Sequence, residues 1–299
     1  MHDDIKWFIG FLLVVGLIWF GGGGLHRSTT QKPFIKPFPA GGTGQTYGNG
    51  NTQAQKVQNE IKTVGASGSV SSLKGTITIG SVRTVSPSGI GTNFTNNADQ
   101  EYIQLRAASD NSAPILLSGM ALKSQVSGQT AVIGNGAYLI FPGTVNSEEQ
   151  IYLKPGETAY ITTGRSPVGY SFRLNKCSGY LAQSQQYTPY ISAECPYAKN
   201  EPLPPPPNGI NDQCLDYLDS IPQCTITPNP PNSLSHECQV FITTKINYPQ
   251  CIAGHKNDAD FYRGEWRVFL GRSDPIWKTR REIVDLLDRS GKVVDSYTY

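Results

Sequence analysis

The sequence predicts a mainly β fold, a sandwich or barrel, interrupted by a cysteine-rich insertion with short helices and preceded by an N-terminal transmembrane helix. Three observations predict it. Short apolar–polar alternations recur between turn signals from Gly75 onward. All six cysteines fall within residues 177–251. One uncharged apolar run, Trp7–Phe20, stands near the amino terminus.

The totals agree with this class. The 299 residues include 15 Tyr and 11 Phe against 2 Met, and aromatic side chains suit a pleated, half-buried surface. The length allows one large or two modest domains. With 25 basic and 23 acidic residues, a formal charge of +2 and no long basic run, the chain carries no nucleic-acid footprint.

Residues 1–25 read as a membrane anchor. As a helix, the roughly 14 residues Trp7–Phe20 span about 21 Å, short of a hydrocarbon core of about 30 Å. Gly21–Leu25 extends the span, and Trp7 and Trp19 sit near its ends, where indoles favour the interface. A cleaved signal peptide is the competing reading. Asp3 and Asp4 beside Lys6 make a poor positive leader, and no A-x-A-like site follows. Arg27, Lys32 and Lys36 after the span argue for a cytoplasmic C-terminal domain. The cysteine cluster argues for the oxidising side and sets the expectation: a single-pass cell-membrane protein with its C-terminal domain extracytoplasmic.

Residues 26–73 are a Gly/Pro/Thr/Gln-rich linker. Lys32–Pro39 resists helix through its prolines, and Ala40–Asn51 has a coil composition. Ala54–Val64 allows one short helix. About 45 flexible residues reach about 35–40 Å, enough to lift a domain off a membrane.

Residues 74–299 are the β domain. Gly75–Val82 alternates with period two, as do Tyr102–Leu105, Ala137–Phe141, Gln150–Leu153, Thr158–Thr162 and Ser171–Leu174. Pro87-Ser88-Gly89, Gly134-Asn135-Gly136, Pro142-Gly143 and Pro155-Gly156 supply turns between them.

Four motifs in order resemble the lamin-tail domain family. They are Glu101–Arg106 (EYIQLR), Leu117–Leu122 (LSGMAL), Phe141-Pro142-Gly143 and Leu153–Gly156 (LKPG). The segment Glu282–Tyr299 is similar to that family's closing hairpin, with Ser290-Gly291 as its turn. The resemblance covers about residues 70–175 and 264–299. Met120 stands where the family usually has Trp, and Gln104 where an acidic residue is common. The resemblance implies a compact immunoglobulin-like β-sandwich without catalytic residues, a fold found in nuclear lamins and in bacterial secreted or membrane-bound proteins.

Residues 176–263 are the insertion. Glu201–Asn208 (EPLPPPPN) reads as a polyproline spacer, or a ligand for a proline-reading domain. Asn211–Ser220 has helical character with Leu215 and Leu218 one turn apart. Ser233–Lys245 is a second helix, with Leu234, Cys238, Phe241 and Ile242 on one stripe. An even number of cysteines in such a segment predicts disulfides involving Cys177, Cys195, Cys214, Cys224, Cys238 and Cys251. A sequential scheme pairs Cys177 with Cys195, Cys214 with Cys224 and Cys238 with Cys251. A helix–helix link from Cys214 to Cys238 is also open.

The chemistry expected is sparse. No G-x-S-x-G, H-E-x-x-H or phosphate-cradling loop occurs. Asp258 and Asp260 read as solvated loop residues rather than a Ca²⁺ edge or glycosidase pair. His236, Cys238, Cys251 and His255 form the alternative, a Cys₂His₂ zinc set. His255 and Asp258 with a cysteine form the alternative hydrolytic site. Tyr180, Tyr187, Tyr190, Tyr197 and Trp277 offer either an interaction surface or core packing.

The expectation is a non-enzymatic structural, adhesion or binding protein without a cofactor. Its partners are the membrane through Trp7–Phe20 and a protein or surface glycan ligand, not nucleic acid. The rival readings are an envelope or secreted hydrolase accessory module, a zinc-binding domain, and a cytoplasm-facing lamin-like scaffold.

Overall fold

The computed structural model describes Val14, residues 70–85 and residues 97–299. Among these no helix is long and apolar enough to cross a membrane. The expected anchor (Val14 apart), the linker to Ser69, the helix over Ala54–Val64 and the Pro87-Ser88-Gly89 turn lie outside the described residues.

The described chain is mainly sheet with a few short helices. Strands β1 (Ile77–Arg83), β2 (Tyr102–Ala107), β7 (Thr158–Thr162), β9 (Tyr262–Phe269) and β8 (Phe172–Asn175) form one five-stranded sheet in that order. All pairs are antiparallel except β7 with β9, which runs parallel with Ala159 opposite Trp266. A four-stranded antiparallel sheet runs β11 (Val293–Thr298), β10 (Ile283–Leu287), β4 (Ala121–Ser124), β5 (Thr130–Val132). Strands β3 (Ile115–Leu116) and β6 (Tyr152–Leu153) make a small separate pair.

The two large sheets share one core. Ile77, Ile79, Ile103, Leu105, Ala159, Ile161, Trp266 and Val268 come from the first sheet, and Leu122, Ala131, Val284, Leu286 and Val294 from the second. Period two explains the selection: Ile103 and Leu105 face inward while Tyr102, Gln104 and Arg106 face out. Each such aliphatic side chain contributes about 1.5–3 kcal/mol on burial.

The closing hairpin forms at the expected place. Asp288 N donates to Lys292 O, Gly291 N donates to Asp288 O, and Gly291 adopts φ +80°, a left-handed turn that glycine takes without strain. The hairpin reaches back across the sequence. β10 pairs with β4, Val70 bridges Val293, and Asp295 accepts from Ile79 N at 2.7 Å.

Three buried carboxylates tie loops to this frame. Glu101 accepts from Ile276 N at 2.8 Å and Trp277 N at 3.1 Å. Glu282 accepts from Ser124 Oγ at 2.8 Å, Ile283 N at 3.0 Å and Lys278 N at 3.1 Å. Asp288 accepts from Ser290 N at 2.8 Å, Lys292 N at 3.0 Å and the Ser71 hydroxyl. Buried backbone donors need acceptors, so these acids satisfy turns that no strand can.

Several expectations are corrected. Ala137–Phe141 is not a strand: Gly136 and Ala137 make isolated bridges to Glu149 and Phe172. Leu218 is buried on helix α1 (Asp212–Ser220) but Leu215 is exposed. Helix α2 (His236–Lys245) is capped by Ser235, whose hydroxyl accepts from Cys238 N. A third helix, α3 (Tyr248–His255), has no counterpart among the sequence expectations. Pro249 is tolerated in its first turn, and Asn247 caps it by accepting from Gln250 N.

Candidate functional site

The insertion is the connection from β8 to β9, which are hydrogen-bonded neighbours in the sheet. All six cysteines are buried and crosslinked, as Cys177–Cys251, Cys195–Cys224 and Cys214–Cys238, with Cα separations of 5.9, 5.1 and 5.8 Å. The sequential scheme is therefore wrong, and the helix–helix alternative between Cys214 and Cys238 forms. The reason is topological. Cys177 directly follows β8, where a buried 3₁₀ turn (Ser178–Gln183) packs against α3 and meets Cys251. The insertion also carries its own apolar core. Leu181, Ile191, Phe241, Ile242, Tyr248, Ile252 and Phe261 join Phe172, Leu174 and Phe269 of the sheet in one continuous cluster.

This arrangement does not assemble the zinc set. Cys238 and Cys251 belong to different disulfides, and His236 is exposed at the start of α2. His255 instead lies between two acids, with Nδ1 2.9 Å from Asp258 and Nε2 3.2 Å from Glu201. Burial pulls its pKa down, but the two carboxylate partners outweigh burial and raise it. Lys176 bonds Asp258 at 2.8 Å and Asp260 at 2.5 Å, holding both carboxyls below their usual range. Asp258 and Asp260 thus clamp the insertion's two ends together. The hydrolytic alternative lacks its nucleophile, because no cysteine is free.

The aromatic set divides. Tyr180, Tyr187 and Trp277 are buried, so they belong to the core and not to a surface. Tyr190 is 68% exposed and Tyr197 45% exposed.

The most developed surface is the outward face of the five-stranded sheet. The register of the five-stranded sheet aligns its outward side chains in rows. Thr78, Arg106, Thr158 and Glu265 form one row; Ser81, Gln104, Tyr160 and Arg267 form the next; Arg83, Tyr102 and Thr162 form a third. These polar residues are linked. Ser81 Oγ donates to Gln104 Oε1 at 3.1 Å, and Gln104 Nε2 donates to Tyr160 Oη at 3.1 Å. Tyr102 and Tyr160 meet edge to face at 5.6 Å, and the Arg267 guanidinium lies 5.0 Å above the Tyr160 ring. Burial raises the Tyr160 phenol, and Glu265 adds to it.

The insertion covers β9 and the Thr162 end of β7 on this face, while Thr78, Arg83 and Arg106 stay exposed and Ser81, Tyr102, Gln104, Thr158 and Tyr160 half-buried. Thr162 Oγ1 donates to Thr188 O at 2.9 Å, and Arg267 donates to Pro189 O and, at 3.1 Å, to Tyr190 O. Residues 188–190 therefore form a wall beside the open platform, with the exposed Tyr190 ring in it. The signal available in the sequence was the polar half of Tyr102–Arg106; its cross-strand partners appear only with the register.

Elsewhere, Leu73, Pro114, Ile115, Leu116, Met120 and Arg289 line a pocket of about 540 Å³ beside the closing hairpin. Comparison with protein-family models, with curated proteins and with solved structures finds no match. The lamin-tail resemblance rests on the sequence motifs alone.

Proposed function

We propose that the chain is a non-enzymatic, membrane-anchored protein whose C-terminal domain stands outside the cytoplasm and serves as a structural or interaction module. In this reading the domain is an immunoglobulin-like sandwich of lamin-tail type, held on the membrane through Trp7–Phe20 and the linker 26–73. The observation that carries it is the complete crosslinking of six buried cysteines in three disulfides. Such bonds persist in oxidising compartments and are rare where thiols are kept reduced. Two sheets around one core, with loops pinned by buried carboxylates, suit a rigid presenting scaffold. The engagement of His255 and Asp258 in clamps favours a structural reading of the insertion over a hydrolytic one. Protease added to intact cells tests the topology. It should release a soluble fragment beginning within residues 26–73. A fragment that appears only after lysis would assign the domain to the cytoplasm, as a scaffold.

A further inference from the structure

We infer that the open outer face of the five-stranded sheet, walled by residues 188–190, is a binding site for a carboxylate-bearing polysaccharide. The inference rests on the reading of this chain as an interaction module and names its ligand class. Four features of the face point to that chemistry.

The first is aromatic. Tyr102 and Tyr160 present half-buried rings on the platform, and Tyr190 stands in the wall. Tyrosine combines an apolar face for sugar C–H groups with a hydroxyl that hydrogen-bonds. The second is the fixed polar chain Ser81–Gln104–Tyr160. Its members hold one another in place, so a ligand's hydroxyls meet groups that are already ordered, which lowers the entropy cost of binding. The third is charge. Arg83 and Arg106 are exposed, and among the described residues neither pairs with a carboxylate. Glu265 at the platform's edge is engaged by Arg267 at 2.7 Å. Guanidinium forks match carboxylates in two-point geometry. The fourth is what the platform lacks. None of its outward residues on β1, β2 and β7 is a large exposed aliphatic, whereas the centre of a protein–protein interface is apolar.

Geometry selects a chain over a single sugar. Tyr102 and Arg106 are the outward residues at the two ends of β2, about 13 Å apart along an extended strand. Arg83 lies opposite Tyr102, so the two cations stand at opposite ends of the aromatic–amide strip. An extended oligosaccharide with charged substituents engages both; a monosaccharide reaches one.

The test uses the full chain in detergent with polygalacturonate as probe, by titration calorimetry at low and moderate salt. The parent should bind, and added salt should weaken binding. Arg106→Gln and Tyr102→Ala should each weaken it about tenfold, the loss expected for one charge-assisted or stacking contact. Lys245→Gln, an exposed site at the end of α2, should leave it unchanged. Unchanged melting temperatures show that the variants remain folded. Failure to bind polygalacturonate, or equal binding of neutral dextran, overturns the inference. So does equal binding of poly-glutamate with the same sensitivity to Arg106→Gln, which would assign the face to an acidic peptide. Protease release from intact cells together with failed polygalacturonate binding would refute this inference and leave the topology reading standing.

Discussion

Replacing both Cys177 and Cys251 with alanine should lower the stability of the whole domain by about 4 kcal/mol. The bridge joins residues 74 apart in sequence. The other two disulfides are interlaced inside that loop, because Cys214 lies between Cys195 and Cys224, and Cys224 between Cys214 and Cys238. With both intact, the shortest covalent path from Cys177 to Cys251 runs to Cys195, across to Cys224, back to Cys214, across to Cys238 and onward, about 41 residues. Releasing a closed loop of that length returns about 4 kcal/mol of chain entropy to the unfolded state. For a domain of this size the loss lowers the melting temperature by about 10 °C. The insertion and sheet should still melt together, since Phe172, Leu174 and Phe269 belong to the insertion's own cluster. Denaturant unfolding of the oxidised, purified chain, followed by tyrosine and tryptophan fluorescence, measures both quantities. A loss below about 1 kcal/mol, or a separate early transition of the insertion, would show that the bridge does not tie the insertion to the sheet.

Two further perturbations probe the frame. Burial alone would raise the Asp288 carboxyl, but its donors Ser71, Ser290 and Lys292 outweigh it and hold it below the usual carboxylate range. A depressed carboxyl stabilises above its unfolded pKa, and that stability is lost as pH falls through the folded value. Asp288→Asn should therefore cost about 1–2 kcal/mol at pH 7, and the difference should shrink as acidification passes through the depressed folded pKa; an equal cost at every pH contradicts the assignment. Deleting residues 282–299 removes β10 and β11, with Val284, Leu286 and Val294 from the core, and strips β4 of one of its two partners. Each lost core side chain costs about 2–5 kcal/mol, so cooperative melting should disappear, and a truncated chain that melts as the parent does would contradict this account.

Period two made the long strands legible. Gly75–Val82 and Tyr102–Leu105 each bury one face, so their alternation survives in the residues. Ala121–Ser124 and Thr130–Val132 were illegible because the strands are short and burial there does not alternate cleanly. Helix α3 was hidden by Pro249 and Gly254, which lower helix propensity while the cap at Asn247 and the bridge at Cys251 restore the helix. The disulfides were expected as a class, but their partners depend on β8 and α3 meeting across 74 residues. The candidate surface divides in the same way. Tyr102, Gln104 and Arg106 stand at alternate positions in the sequence, whereas Arg83, Tyr160 and the wall at 188–190 join them through strand register and the insertion's path.

In the proposed reading, three disulfides hold a domain that stands outside the cytoplasm. Labelling of intact cells with a membrane-impermeant maleimide, with and without prior impermeant reductant, tests topology and cysteine state together. No cysteine should be labelled before reduction, and labelled cysteines should appear after it, read by mass spectrometry of the isolated chain. Labelling without reductant, or labelling that requires permeabilised cells, would contradict that reading.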